Sequence, residues 1–214
     1  MKKILILSTC MVFLLAGWAM AATLVTGNLY TSNIDVLENG SIPMALGGGS
    51  IDVSTLNGAP LNYLYCLDAF KTVNLNTTYP STVVDTTGDI YGSPLNNAAQ
   101  VAWLLGNFGA SGQGAAAYAL QAAIWHEIYL GTATTIDLNT SLATATEISL
   151  YNADLAALGS NTGNVSDFLW ITPASVNGVQ LAQGLVGTVP EPTTMLLLGL
   201  GLMGVAGLRK KIRN

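Results

Sequence analysis

The chain has 214 residues, 50% of them hydrophobic and 9% charged, with a formal net charge of −5 at pH 7. Of its seven Lys and Arg residues, Lys2 and Lys3 stand near the start, Arg209, Lys210, Lys211 and Arg213 near the end, and Lys71 alone lies between. All twelve Asp and Glu fall between Asp35 and Glu191, so the central part is strongly acidic and lacks the basic surface that displaces phosphate counterions, which excludes nucleic acid as a partner.

Residues 1–21 carry two lysines, an apolar run and the small-x-small triplet Ala19-Met20-Ala21, the pattern of a secretory signal peptide. Residues 22–56, rich in Thr, Val, Ile, Asn and Gly with the run Leu-Gly-Gly-Gly-Ser at 46–50, read as short strands and turns. The segment 61–68, Leu-Asn-Tyr-Leu-Tyr-Cys-Leu-Asp, alternates as a strand does, and polar residues 71–92 read as loop with a short strand. A helix is expected over 93–109, with Ser93 as N-cap and Pro94 at the first helical position. A second helix is expected over 110–131, ending at Gly131, and a third over 141–160. Residues 165–171 and 176–186 return to strand character. This order predicts an α+β fold: a β-strand-rich domain over 22–188 with an inserted helical block, a signal helix before it and a transmembrane helix after it.

Within the second helix Ala117, Leu120, Ile124, Trp125 and Ile128 fall on one apolar stripe, and Gln121 sits inside that stripe. A primary amide there has two donors and an acceptor to satisfy, at about 1–3 kcal/mol if left unpaired. The exported domain has one cysteine, Cys66, because Cys10 belongs to the signal peptide. An odd cysteine in a secreted protein implies an intermolecular bridge, an inert buried thiol, a nucleophile, or a thiol consumed in another bond. The Tyr-Cys-Leu-Asp segment around Cys66 and the Gln-Ala-Ala-Ile-Trp segment of the helix together resemble the thioester domain of bacterial surface adhesins. That resemblance implies a covalent bond between the Cys66 sulfur and the Gln121 side-chain carbonyl, used once, without turnover, to capture an amine- or hydroxyl-bearing partner. The chain departs from the family in having Leu120, where a threonine often precedes the glutamine.

The residues themselves support the same chemistry. A thiolate is a strong nucleophile. An amide pressed against it in a dry site, with Trp125 as a lid against water, can lose ammonia and leave a thioester. Asp68, two residues along a strand from Cys66, falls on the same face and is a candidate helper. Scarcity of lysine fits as well, since few amines are then available to attack the domain's own thioester. The alternatives are a non-covalent structural or carbohydrate-binding matrix protein with an inert cysteine, and a hydrolase built on Cys66 and the sole histidine, His126. On a helix His126 points about 140° away from Gln121, which sets it against that last option. Asp85 and Asp89 flank a turn whose spacing matches no calcium loop, and neither a metal nor a cofactor is expected.

Residues 189–214 hold the triplet Pro190-Glu191-Pro192, an apolar run of 16 residues from Thr193 to Leu208, and the basic tail. As a helix the run is about 24 Å long, a short membrane span, and the basic cluster would keep its tail cytoplasmic. The arrangement resembles the PEP-CTERM sorting signal of Gram-negative bacteria. It implies an exosortase-type processing enzyme as a partner, transient anchoring in the inner membrane, and delivery to the cell surface or extracellular matrix. Glu191 and its two prolines would then be recognition residues for that enzyme.

Overall fold

A computed structural model describes residues 21–29, 33–109, 114–174 and 182–189. The signal peptide, the Pro190-Glu191-Pro192 triplet and the expected C-terminal span lie outside the described residues. Among the described residues no helix is long and apolar enough to cross a membrane.

The chain begins with short strands: β1 (Ala22–Val25), β2 (Asn28–Leu29), β3 (Asn33–Glu38), β4 (Ile42–Gly47), β5 (Ile51–Asp52), β6 (Thr55–Leu56), β7 (Ala59–Pro60) and β8 (Leu64–Cys66). After these come β9 (Thr78–Asp85), β10 (Asp89–Ile90) and β11 (Ser93–Pro94). Two helices follow, α1 (Ala98–Phe108) and α2 (Ala115–Tyr129), then β12 (Ile136–Leu138) and α3 (Ala145–Leu158). A 3-10 turn at Val165–Asp167 leads into β13 (Phe168–Thr172), and β14 (Leu185–Thr188) completes the described elements.

The main sheet has the order β7-β6-β1-β9-β13-β14-β8. Each of its pairings is antiparallel. A second sheet, β12-β3-β4, packs beside α2, whose Tyr118 hydroxyl accepts the backbone N–H of Asp35 at 2.6 Å. The architecture is thus strand-rich α+β, as expected, but β12 interrupts the helical block by pairing with β3.

The details differ from the sequence reading where pairing overrides local preference. The polar stretch expected as loop with a short strand contains β9, an eight-residue strand in the middle of the main sheet. Tyr79 and Thr82 are buried there, and the register with β1 shifts between those two residues, the stretch that holds Pro80. Proline donates no ladder hydrogen bond, so a register irregularity is where a central strand tolerates it. Ser93 and Pro94 do not start α1; they pair with Asp89 and Ile90 in a hairpin. The helix begins after Asn97, which has φ of 54°. Asn96 and Asn97 turn their side-chain amides to the end of α2, donating to the carbonyls of Ile128, Leu130 and Glu127 at 2.7–3.0 Å. Carbonyls at the helix end that lack an intrahelical donor find partners in this way.

Helix α2 is not an amphipathic surface helix. From Ala117 to Ile128 every residue is buried except His126. It lies between α1 and α3 on one side and β3 and β12 on the other, so its whole circumference is interior. Helix α3 starts with a reciprocal cap, in which the Thr144 N–H donates to the Glu147 carboxylate at 2.7 Å and the Glu147 N–H to the Thr144 hydroxyl at 3.3 Å.

Candidate functional site

Cys66 is the last residue of β8, an edge strand of the main sheet. On the inner side Leu67 N–H donates to the carbonyl of Gly184 at 2.8 Å, and Cys66 stands opposite Leu185. Antiparallel ladders alternate, so Cys66 is in a non-hydrogen-bonded pair and turns its own N–H and C=O away from β14. An exposed edge would leave those groups to water. Here Cys66 is 1% exposed, so the fold must supply partners.

Gln121 supplies both. Its Oε1 accepts the Cys66 N–H at 2.9 Å, and its Nε2 donates to the Cys66 carbonyl at 2.7 Å. The glutamine amide thus pairs with Cys66 as another strand would, across 55 residues of chain. This is why a glutamine occupies an interior helix: the buried amide, 0% exposed, pairs with both peptide groups of a buried strand residue. Burial without a charge partner pushes the Cys66 thiol up to about 12, so the neutral thiol is the resting form.

Trp125, one turn further along α2, is 1% exposed. Its indole N–H is one of the few buried polar groups among the described residues that lack a partner. Gly48 brings Trp125 and Gln121 together. A Cβ there would stand 2.9 Å from Gln121 Cγ, 2.9 Å from Trp125 Cη2 and 2.8 Å from Ile34 Cδ1. Only the hydrogen side chain of glycine lets the β4 end approach so closely. From sequence the run at 46–50 belongs to a stretch of short strands and turns. A glycine run beside a strand can also mark close backbone approach, and that was the available signal.

Asp68 does not share a strand face with the thiol, because β8 stops at Cys66. Its carboxylate instead accepts the Phe70 N–H at 2.9 Å and the Tyr129 hydroxyl at 3.2 Å, and the Tyr91 hydroxyl oxygen lies 3.4 Å from it. It also faces the Lys71 ammonium at 3.6 Å. A second buried glutamine, Gln183, ties this loop to the strand leading into β14 by donating to the Asp68 carbonyl at 2.6 Å. The sequence reading missed Tyr91, Tyr129 and Gln183, since their partners lie 23 to 115 residues away.

A cavity of about 360 Å³ opens over this region. Cys66, Phe70, Lys71 and Gln183 line it together with apolar residues of β4 and the 73–75 loop. It is large enough for a small ligand group, and Cys66, itself 1% exposed, contributes to its wall. His126 is engaged elsewhere: its Nδ1 lies 2.8 Å from Asp137 on β12, and its ring packs edge-on against Tyr151 of α3. That arrangement gives the Cys–His hydrolase no support. Among the described residues no group of His, Cys, Asp and Glu is arranged to hold a metal ion. Asp85 accepts from Thr87 and Asp89, closing a turn within its own loop.

Beyond the domain, the sequence pattern of residues 188–211 matches that of a known sorting signal. A PEP-CTERM protein-sorting motif is present there. It covers Pro190, Glu191 and Pro192, the apolar run and the first basic residues of the tail, beginning one residue before the segment read from the sequence. The motif implies export to the cell surface in a Gram-negative bacterium and recognition by an exosortase. No curated protein and no solved structure shows a match to the chain.

Proposed function

We propose that this PEP-CTERM protein carries a Cys66–Gln121 thioester and uses it once to attach covalently to an amine- or hydroxyl-bearing polymer at the cell surface or in the matrix. The observation that carries the reading is the double hydrogen bond between the Gln121 amide and the Cys66 backbone. It fixes the amide of an interior helix against the one residue of the exported domain that bears a thiol. Proximity of that kind is the main requirement for an otherwise slow acyl transfer.

In the step itself the Cys66 sulfur attacks Cδ of Gln121 and the C–N bond breaks. The thiol proton travels to the departing nitrogen, so one ammonia leaves and charge is conserved. A neutral thiol is a poor nucleophile. Formation is therefore slow, a single event per molecule, with proton transfer accompanying attack. The same buried surround, in which Gln121 is 0% and Trp125 1% exposed, protects the product from hydrolysis. The cavity lined by Cys66 is the route by which a partner's nucleophile reaches the bond.

A second reading rests on the same pair. Both polar atoms of Gln121 already have partners, which suffices for a purely structural role in a non-covalent matrix protein. Intact mass of the exported protein separates the two. The thioester reading expects a mass short of one ammonia, a thiol that iodoacetamide does not label, and labelling after methylamine opens the bond. Cys66→Ala and Gln121→Ala each restore the full mass. A full mass with a thiol that labels on unfolding refutes the thioester and leaves the structural reading.

A further inference from the structure

Lys71 is the single lysine or arginine between Lys3 and Arg209, and it lines the same cavity as Cys66. A primary amine in that position is the natural competitor of any external partner. Intramolecular nucleophiles held near a reactive carbonyl act at effective concentrations far above those of free reagents. A thioester beside an unrestrained lysine would therefore be consumed internally before it met a partner.

The surroundings of Lys71 restrain it. Its Nζ lies 3.6 Å from Asp68 Oδ2 and 3.4 Å from the centroid of the Tyr91 ring. Both contacts draw on the ammonium charge and fix where the end of the side chain sits. The clamp is itself braced. Tyr129 donates to the Asp68 carboxylate at 3.2 Å, and the Tyr91 hydroxyl is fixed by donating its one hydrogen to the Ala182 carbonyl at 3.0 Å while accepting the Gly184 N–H at 2.6 Å. An exposed ion pair needs no such bracing to exist, and surface pairs of that kind stabilise folds little. A cluster this well ordered around the one lysine near the cysteine points to control of that lysine.

We propose that Asp68 and Tyr91 are positioning residues that hold Lys71 away from the Cys66–Gln121 thioester and keep the bond available for a partner. The inference rests on the thioester reading. When the clamp is lost, the neutral Lys71 amine attacks Cδ of Gln121 and the C–S bond breaks. The nitrogen loses a proton and Cys66 regains one. The product is a Lys71–Gln121 amide and a free thiol, with no change in mass from the thioester.

The test compares the exported full chain with its Asp68→Asn variant by intact mass, iodoacetamide labelling, methylamine incorporation and tryptic mapping. In the unmutated chain the expected pattern is an ammonia deficit, an unlabelled thiol, methylamine incorporation and normal cleavage at Lys71. Asp68→Asn should keep the ammonia deficit but label at Cys66, take up no methylamine, and yield a joined peptide containing Lys71 and Gln121. Adding Lys71→Arg should bring back the methylamine-sensitive bond. A variant that behaves like the unmutated chain overturns the clamp and leaves the thioester standing. A Lys71–Gln121 amide already present without mutation also overturns it. A full mass with free thiol in the unmutated chain overturns the thioester reading beneath it. Because Asp68→Asn can unsettle the loop, a measurement on the unmutated protein stands beside it. Acetylation of Lys71 by an N-hydroxysuccinimide ester should run about tenfold more slowly than that of a short lysine peptide at the same pH. Equal rates overturn the proposal.

Discussion

The role of Gln121 as a substitute strand can be measured apart from any covalent chemistry. In a Cys66→Ala background no thioester forms, while the backbone N–H and C=O of residue 66 remain. Replacing Gln121 by Ala then removes the partner of both groups, each now held by one hydrogen bond at 2.9 or 2.7 Å. At about 1–3 kcal/mol for each buried peptide group left unsatisfied, the loss is about 2–6 kcal/mol. Gln121→Met in the same background separates bonding from packing, because it fills the volume without offering an amide. It should lose most of what Gln121→Ala loses. The assay is urea unfolding followed by far-ultraviolet circular dichroism. With a slope of about 2 kcal/mol per molar urea, the midpoint should fall by about 1–3 M. A Met variant whose midpoint matches that of the parent would refute the strand-capping argument and assign Gln121 to packing alone.

Gly48→Ala should displace Gln121 and Trp125, since its Cβ would meet both at 2.9 Å; a stability loss of about 1–3 kcal/mol, with a lower yield of ammonia-deficient protein, is the expected result. If the bond forms, it closes a loop across 55 residues, and opening it with methylamine should cost up to about 4 kcal/mol of stability by chain entropy, read as a drop in melting temperature. Asp154 is 7% exposed, and burial raises its carboxyl from 3.8 to about 6. The unfolded chain therefore releases that proton first, so the penalty is absent below about pH 4 and complete above pH 6. Asp154→Asn should stabilise the protein by up to about 3 kcal/mol at pH 7 and leave it nearly unchanged at pH 3.5, as read by denaturant titration at the two pH values. A free Cys66 thiol, pushed up from 9.0 to about 12, costs stability as pH rises from 9 towards 12, because only the unfolded chain ionises there. In Cys66→Ala, or with the thiol consumed, that part of the alkaline loss should disappear.

Much of the site was legible in the sequence because its signals are local or compositional. One cysteine in an exported chain, and one glutamine among apolar helix residues, mark themselves without any structure. Their meeting followed from the resemblance and not from the pattern of either segment. The role given to Asp68 was drawn from strand alternation. It did not hold in that form because the strand ends two residues earlier and the carboxylate turns to Tyr91, Tyr129 and Lys71. The start of α1 was misplaced because Pro94, a good first helical residue, serves equally well on the edge of a hairpin.

The sequence by itself determined the sorted, exported character of the chain, the α+β class, and the acidic domain with its lone lysine. Helices α2 and α3 were readable for the same reason, since their hydrogen bonds run between near neighbours. Tertiary structure alone decided that β9 lies inside the main sheet, that β8 is an edge, and that the peptide groups of Cys66 are completed by a side chain 55 residues away. It also decided which groups surround Lys71. Strand pairing and buried polar matching join distant segments, and no local pattern of hydrophobicity or charge encodes the partner that such a group will meet.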